Sequence, residues 1–344
     1  MHLHRITGGA SVCAAMLLLG ALARAAGEPD VIRLDPALDA IIAPDARLEV
    51  LVDDYFGGNE GPVWVKDAAG GYLLFSDQAA NKIYKMTTDG TLSVYLENSG
   101  LSNFSAMPSI GPWNGQTGAL LNNGRMIVAI VGSNGLALDR QGRLLICQHG
   151  DRALVRVERD GSRTVLADRY DGTRLNGPND LAVASDGSIY FTDIGVMPGK
   201  ALPHAFYRWK DGVVQQLRTS VQGGFANGIA LSPDERHLYV AAARKIVRFD
   251  LDAATGTIAN EHVLVDMTGE KEPGGPDGMK VDRRGNLFFG GPGGLWITSP
   301  QGKRLGIVRN RRNTNLAFGD ADGRGLYIMT FTGVVRIRLA SPAM

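Results

Sequence analysis

Short apolar runs separated by Gly, Asp and Asn recur along the chain, and their spacing is that of strands. The plan is plainest in Asn176-Gly-Pro-Asn-Asp-Leu-Ala-Val-Ala-Ser-Asp-Gly-Ser-Ile-Tyr-Phe-Thr-Asp193. A polar corner leads into a strand over 181–184, then a tight Asp186-Gly187 turn with both residues at positive φ, then a strand over 189–192. Variants of this stretch run from Ser133 to Cys147, from Ala226 to Val240 and from Pro276 to Phe289. Apolar runs rich in Val, Ile, Leu, Tyr and Phe, with no helical stripe of three turns, predict an all-β chain. The internal repeat decides its architecture.

Counting strands by this plan gives six units. The first runs from Glu60 through 72–75, 82–86 and 92–96; the next four cover 134–167, 179–218, 227–265 and 277–308. The sixth starts near Thr314 and supplies three strands, ending at 334–339, while residues 46–52 form a strand standing alone before the first unit. Four strands per unit is the content of a propeller blade. A strand from the other terminus completes the sixth and covers two sheet edges. The expected fold is a six-bladed β-propeller closed by an N-terminal strand and occupying residues 46–344. An insertion over 98–131, carrying Phe104, Met107, Pro108 and Trp113, interrupts the rhythm between units one and two. Such insertions land on one face of a repeat array, often the binding face, and a surface loop is the alternative.

Residues 1–25 stand apart. A positive start at Arg5, an apolar run centred on 14–19 and a small-x-small site at Ala23-Arg-Ala25 form a secretory signal peptide, too short for a membrane span. Residues 26–45 are then an N-terminal extension, and the mature chain is exported, periplasmic or secreted. Removing the signal takes two of the 36 basic residues and none of the 35 acidic ones, leaving a near-neutral chain. That balance speaks against nucleic acid and against a charged membrane surface, and no other segment is apolar enough for membrane insertion. Of the two cysteines, Cys13 lies in the signal, so Cys147 has no internal partner and stability rests on packing.

One polar residue precedes each innermost strand, with apolar residues two and four positions on. The six are Glu60, Asn134, Asn179, Asn227, Asp277 and Thr314, this register taking Thr314 and not Asn315. In a propeller these side chains converge at one end of the central channel. Two carboxylates and several amide oxygens there suit a hard cation such as calcium. Asn-Gly and Asp-Gly corners are also turn formers, so the pattern alone leaves a metal site and a set of structural turns equally open. Zinc-finger spacings, HExxH and G-x-S-x-G are absent.

The chain resembles the senescence marker protein/gluconolactonase/luciferin-regenerating enzyme family of six-bladed propellers, in its bacterial gluconolactonase-like branch. The matching stretches are Glu60-Gly-Pro-Val-Trp64, Leu74-Phe-Ser-Asp77, Asn134 to Gly150 with Cys147-Gln-His-Gly150, and Arg174 to Asp180 with Tyr190-Phe-Thr-Asp193. Asn227-Gly228, Leu231-Ser-Pro-Asp234 and Pro276-Asp-Gly-Met-Lys280 complete the set. The resemblance implies that Glu60, Asn179, Asn227 and Asp277 hold a divalent cation, calcium first, with zinc or manganese as alternatives. It also implies hydrolysis of a sugar lactone, with Asp277 as general base as well as ligand. Candidate substrate contacts are Asn134, His149 and Arg174. Against that, His149 reads more readily as a satisfied structural histidine and Arg174 is more often a solvated loop charge. Asp77 and Asp193 share a register that suggests structural hydrogen bonding. The sequence Ile194-Gly-Val-Met-Pro-Gly199 departs from the Pro-Pro-Tyr-Gly-like loop of the branch, which bears on the substrate.

Two rivals stay open. The same site could act on another lactone, an ester or a phosphotriester, or the propeller could bind a partner non-catalytically around a structural cation. Sequence leaves the oligomeric state undetermined. The signal reading makes a direct prediction: mass spectrometry of the exported protein finds a chain beginning near Ala26. A cytoplasmic protein retaining residues 1–25 contradicts it.

Overall fold

A computed structural model of the chain describes residues 29–103, 131–194, 202–310 and 312–344, together with four short backbone strands between 112 and 128. The proposed signal, most of the 98–131 insertion with its aromatic side chains, and residues 195–201 of the departing loop lie outside the described residues. Strands dominate the described chain. A single 3-10 turn, Pro36–Ala40, is its helical element, and no helix there is long and apolar enough to cross a membrane.

Six antiparallel sheets follow one another. From the inside outward, blade 1 is Asn59–Val65, Tyr72–Asp77, Lys82–Thr87 and Leu92–Glu97. Blades 2, 3 and 4 begin at Ser133–Leu138, Pro178–Val183 and Ala226–Leu231 and each adds three strands outward. Blades 5 and 6 begin at Met279–Val281 and Leu316–Gly319. Each innermost strand packs against the next, from blade 1 round to blade 6 and back to blade 1, so the sheets form a ring. The outer place in blade 6 is filled by Leu48–Val52, antiparallel to Val334–Arg338. The extension carries a further strand, Val31–Arg33, which pairs with Arg304–Val308 as a fifth strand of blade 5. Its three residues are too few to leave a periodic signal.

The hairpin turns differ from the sequence expectation in one respect. Around Asp186-Gly187 the loop spans Ala184 to Ser188: Gly187 N–H donates to Ala184 O (3.0 Å) and Ala184 N–H to Ser188 O (2.8 Å). Only Gly187 has positive φ, at 85°, because a type I turn followed by one left-handed residue replaces the two-residue turn. Asp186 does not need a left-handed backbone; its carboxylate accepts from Ser188 N (2.8 Å). Asp139 and Asp282 close the corresponding turns of blades 2 and 5 in the same way, each accepting from two backbone N–H groups.

Between blades the core is apolar side chains from facing sheets. At the seam of blades 6 and 1, Trp64 stacks on Tyr327 with centroids 5.5 Å apart, among buried Leu73, Phe75, Met86 and Met329. Hydroxyls stitch neighbouring blades near the axis: Ser76 Oγ donates to Asn134 O (2.8 Å), Thr192 Oγ1 to Asn227 O (2.7 Å) and Thr314 Oγ1 to Asn59 O (2.7 Å). Gly228 is required where strands crowd the axis, since a Cβ there would lie 2.1 Å from Asp277 O. Cys147 is fully buried between blades 2 and 3, where burial pushes its thiol well up, so it is an inert core residue.

We propose that the pairing of Leu48–Val52 is what closes the ring energetically. Chains beginning at residue 46 and at residue 53 separate it from the blade 5 addition. The first should keep a cooperative melt, and the second should aggregate or melt without cooperativity, because a row of blade 6 backbone groups loses its partners. Equal melting of the two chains contradicts the assignment.

Candidate functional site at the channel mouth

Each corner residue of the predicted register stands at the start of an inner strand or, for Asp277 and Thr314, two residues before it, and the amides among them are linked into a chain. Asn134 Nδ2 donates to Asn179 Oδ1 (2.7 Å), and Asn179 Nδ2 donates to Asn227 Oδ1 (2.6 Å). Asn227 in turn hydrogen-bonds Asp277. The direction of this chain is forced from its end. An ionised carboxylate only accepts, so Asn227 presents its NH2 to Asp277 and turns its oxygen to Asn179, and the same choice passes back to Asn134. His149 joins at the other end, with Nε2 3.4 Å from Asn134 Nδ2. Glu60 and Asn134 are 6 % and 4 % exposed, whereas Asn227 and Asp277 are half-buried and open to the mouth.

Electrostatics mark this point. Glu60 is held well above the usual carboxylate range by burial, by the charge of Asp277 and by that of Asp180. Asp277 is pushed up to about 6 by burial, against the Arg312 guanidinium, which favours its ionised form. Burial also pushes His149 down to about 4, so at pH 7 it is a neutral imidazole and an acceptor for Asn134. Arg174 is not drawn into this cluster: it is exposed and donates to Asp151 O (2.6 Å). Asp193 accepts from Asn176 N (2.8 Å) and Gly177 N (2.5 Å), and Asp77 from Ala79 N (3.2 Å) and Ala80 N (3.1 Å), the structural role expected of their register.

The sixth corner behaves unlike the register reading. Thr314 does occupy the position, but its hydroxyl is committed to Asn59 O, and Asn315 is the residue that serves the site. Asn315 hydrogen-bonds both Glu60 and Asp180, and its Oδ1 accepts from Lys280 Nζ (3.3 Å). Lys280 also favours the ionised form of Asp180, whose Oδ2 is buried with no hydrogen-bond partner. Asp180, Lys280 and Asn315 were missed because they sit one or three positions past the corners, where most inner strands carry Gly or Ala. The departure from that small-residue pattern was the available signal.

The donor set fits a hard cation. Among the described residues no three His, Cys, Asp or Glu side chains cluster as metal ligands, and the corners offer the two carboxylates of Glu60 and Asp277 with the amides of Asn134, Asn179 and Asn227. Asn134 Oδ1 is buried with no partner, and a carbonyl oxygen carries two lone pairs, so Asn179 and Asn227 each retain one after the amide chain is made. Oxygen donors of mixed charge are what calcium takes.

Fold and site together define a six-bladed propeller with an oxygen-lined polar centre at its axial mouth. The profile of the SMP-30/Gluconolactonase/LRE-like region matches residues 59–332. The chain belongs to that family. It is 32 % identical to a gluconolactonase of Zymomonas mobilis over 90 % of this chain and 85 % of that one. It is 30 % identical to a pentonolactonase of Haloferax volcanii over 58 % of this chain and 67 % of that one. A solved gluconolactonase of Xanthomonas campestris superposes with a TM-score of 0.73 at 29 % identity, covering 91 % of this chain and 96 % of that one.

The buried imidazole makes a pH prediction. Its folded pKa of about 4 lies below the ordinary 6.5, so between those values the unfolded chain takes up a proton that the folded chain refuses. Its contribution is full above pH 6.5 and is lost as pH falls toward 4, on the order of 3 kcal/mol. Buried Asp193 and half-buried Asp277, with raised pKa values, titrate in the opposite sense, so the comparison is between variants. Urea unfolding of His149→Gln should lose less stability than the parent from pH 6.5 to 4. Parallel curves contradict a buried neutral imidazole.

Proposed function

We infer that this chain is a hydrolase of cyclic esters, and we propose that it uses a divalent cation, calcium first, on a sugar lactone such as gluconolactone. The observation that carries the reading is the amide chain running from Asn134 to Asp277 around the axis, with Glu60 facing its end. Relatives named gluconolactonase and pentonolactonase support the substrate class. Glu60, Asn179, Asn227 and Asp277 would hold the cation. That cation would polarise the lactone carbonyl and lower the pKa of a nearby water.

This chain's own residues do the rest. Asn227 fixes the orientation of the Asp277 carboxylate, whose half-buried position leaves it reachable from the mouth. Asp277 takes a proton from the water that attacks the carbonyl carbon. When the ring C–O bond breaks, Asp277 returns that proton to the departing ring oxygen, so the product is the open hydroxy acid. Neutral His149 keeps the Asn134 amide turned, leaving Asn134 Oδ1 to accept from a substrate hydroxyl. Both feet of the 98–131 insertion lie beside His149. Asp151 N donates to Gly100 O (2.7 Å), and Gly150 N donates to Val131 O (3.1 Å), so the described ends of the insertion flank the residues that follow His149.

Holding the cation and using it can be separated. Asn227→Ala should weaken cation affinity, with much of the lactonase rate recovered in excess calcium. Asp277→Asn should keep turnover about 10²–10⁴-fold down even when occupancy is saturated, because it cannot accept a proton. Kinetics at saturating calcium, with occupancy measured independently, check this. Near-parental turnover of Asp277→Asn there would falsify the general-base role.

A further inference from the structure

Phe331 has a backbone that an aromatic residue rarely accepts. Among the described non-glycine residues with positive φ it is the one aromatic, at 71°. Bulky side chains avoid this region and persist there where neighbours over-determine the conformation. Blade 1 does so here: Asn59 N donates to Phe331 O (2.9 Å), and Asn59 Nδ2 donates to Gly333 O (2.6 Å). Core packing does not explain it. Phe331 is half-buried and belongs to none of the apolar clusters between blades. The Asn59–Phe331 bridge instead fixes its backbone opposite the residue before Glu60, with the ring against Gly58.

Over that ring lies the exposed Arg312, with its guanidinium carbon 5.1 Å from the centroid. Arg312 comes from the loop entering blade 6, and its charge acts on Asp277. An aromatic face and a guanidinium fork are thus held together, the aromatic residue bridged to the neighbour of Glu60 and the guanidinium within electrostatic reach of Asp277. The flat face suits the carbon side of a small polyol, and the fork suits a carboxylate. Ester hydrolysis turns a neutral lactone into an anion, so charge appears at a mouth that already holds two carboxylates.

We propose that Arg312 and Phe331 form a rim subsite for the hydroxy acid, with Arg312 binding the carboxylate created by ring opening. The subsite rests on the lactonase reading and adds to it which residues recognise product over substrate. Arg312 should hold an aldonate much more tightly than the matching neutral polyol. Phe331 should contribute to both alike.

Calorimetry on the full chain in saturating calcium tests this, with gluconate and glucitol as probes. Arg312→Gln should weaken gluconate about tenfold or more, raise the inhibition constant of gluconate against lactone hydrolysis in parallel, and leave glucitol unchanged. Arg312→Lys should restore part of the loss, since it keeps the charge without the fork. Phe331→Leu should weaken both probes equally. If the parent hydrolyses the lactone and Arg312→Gln binds gluconate as the parent does, the subsite is refuted and the lactonase reading stands. A parent that binds neither probe and hydrolyses no lactone overturns both.

Discussion

Asp277 can only accept hydrogen bonds when ionised, and that one constraint orders the centre of the molecule. It fixes the orientation of the Asn227 amide, which fixes Asn179, which fixes Asn134. At the far end neutral His149 accepts from the last amide. Four blades are thereby tied around the axis by side chains whose oxygens are left partly free. A closed ring makes this possible. Inner strands approach so closely that Gly228 has no room for a Cβ, and the corner amides of blades 2, 3 and 4 lie within hydrogen-bond reach of one another.

Below the corners a second set of charges balances the first. Glu60, Asp180 and Asp277 act on one another in poorly solvated surroundings, while Lys280 favours the ionised form of Asp180 and Arg312 that of Asp277. Asn315 joins the two levels, bonded to Glu60, Asp180 and Lys280. Removing water from like charges is costly, so such a centre calls for added positive charge, which is what a divalent cation brings. Burial also explains why the thiol of Cys147 and the imidazole of His149 stay neutral.

The ring was legible in the chain because each blade repeats one corner, one turn and two short apolar runs. Glu60, Asn134, Asn179, Asn227 and Asp277 stood out as the polar member of that repeat. What the register hid was whatever breaks it. Thr314 holds the sixth place but spends its hydroxyl on Asn59, and Asn315 does the work that a corner residue does elsewhere. Asp180 and Lys280 replace small residues at positions where the strand alternation gives no reason to look. Val31–Arg33 is too short to show a period. Asp186-Gly187 has the composition of a two-residue turn, yet the ladder closes one pair further out, and only Gly187 turns left-handed.

The central claim is that the axial corners hold a single divalent cation. A crystal structure of the full chain grown in calcium tests it most directly. The account predicts one ion per ring at the mouth of the channel, ligated by Glu60, Asn179, Asn227 and Asp277 at roughly 2.3–2.6 Å. A mouth without an ion under those conditions, or a cation held by a different set of residues, contradicts it.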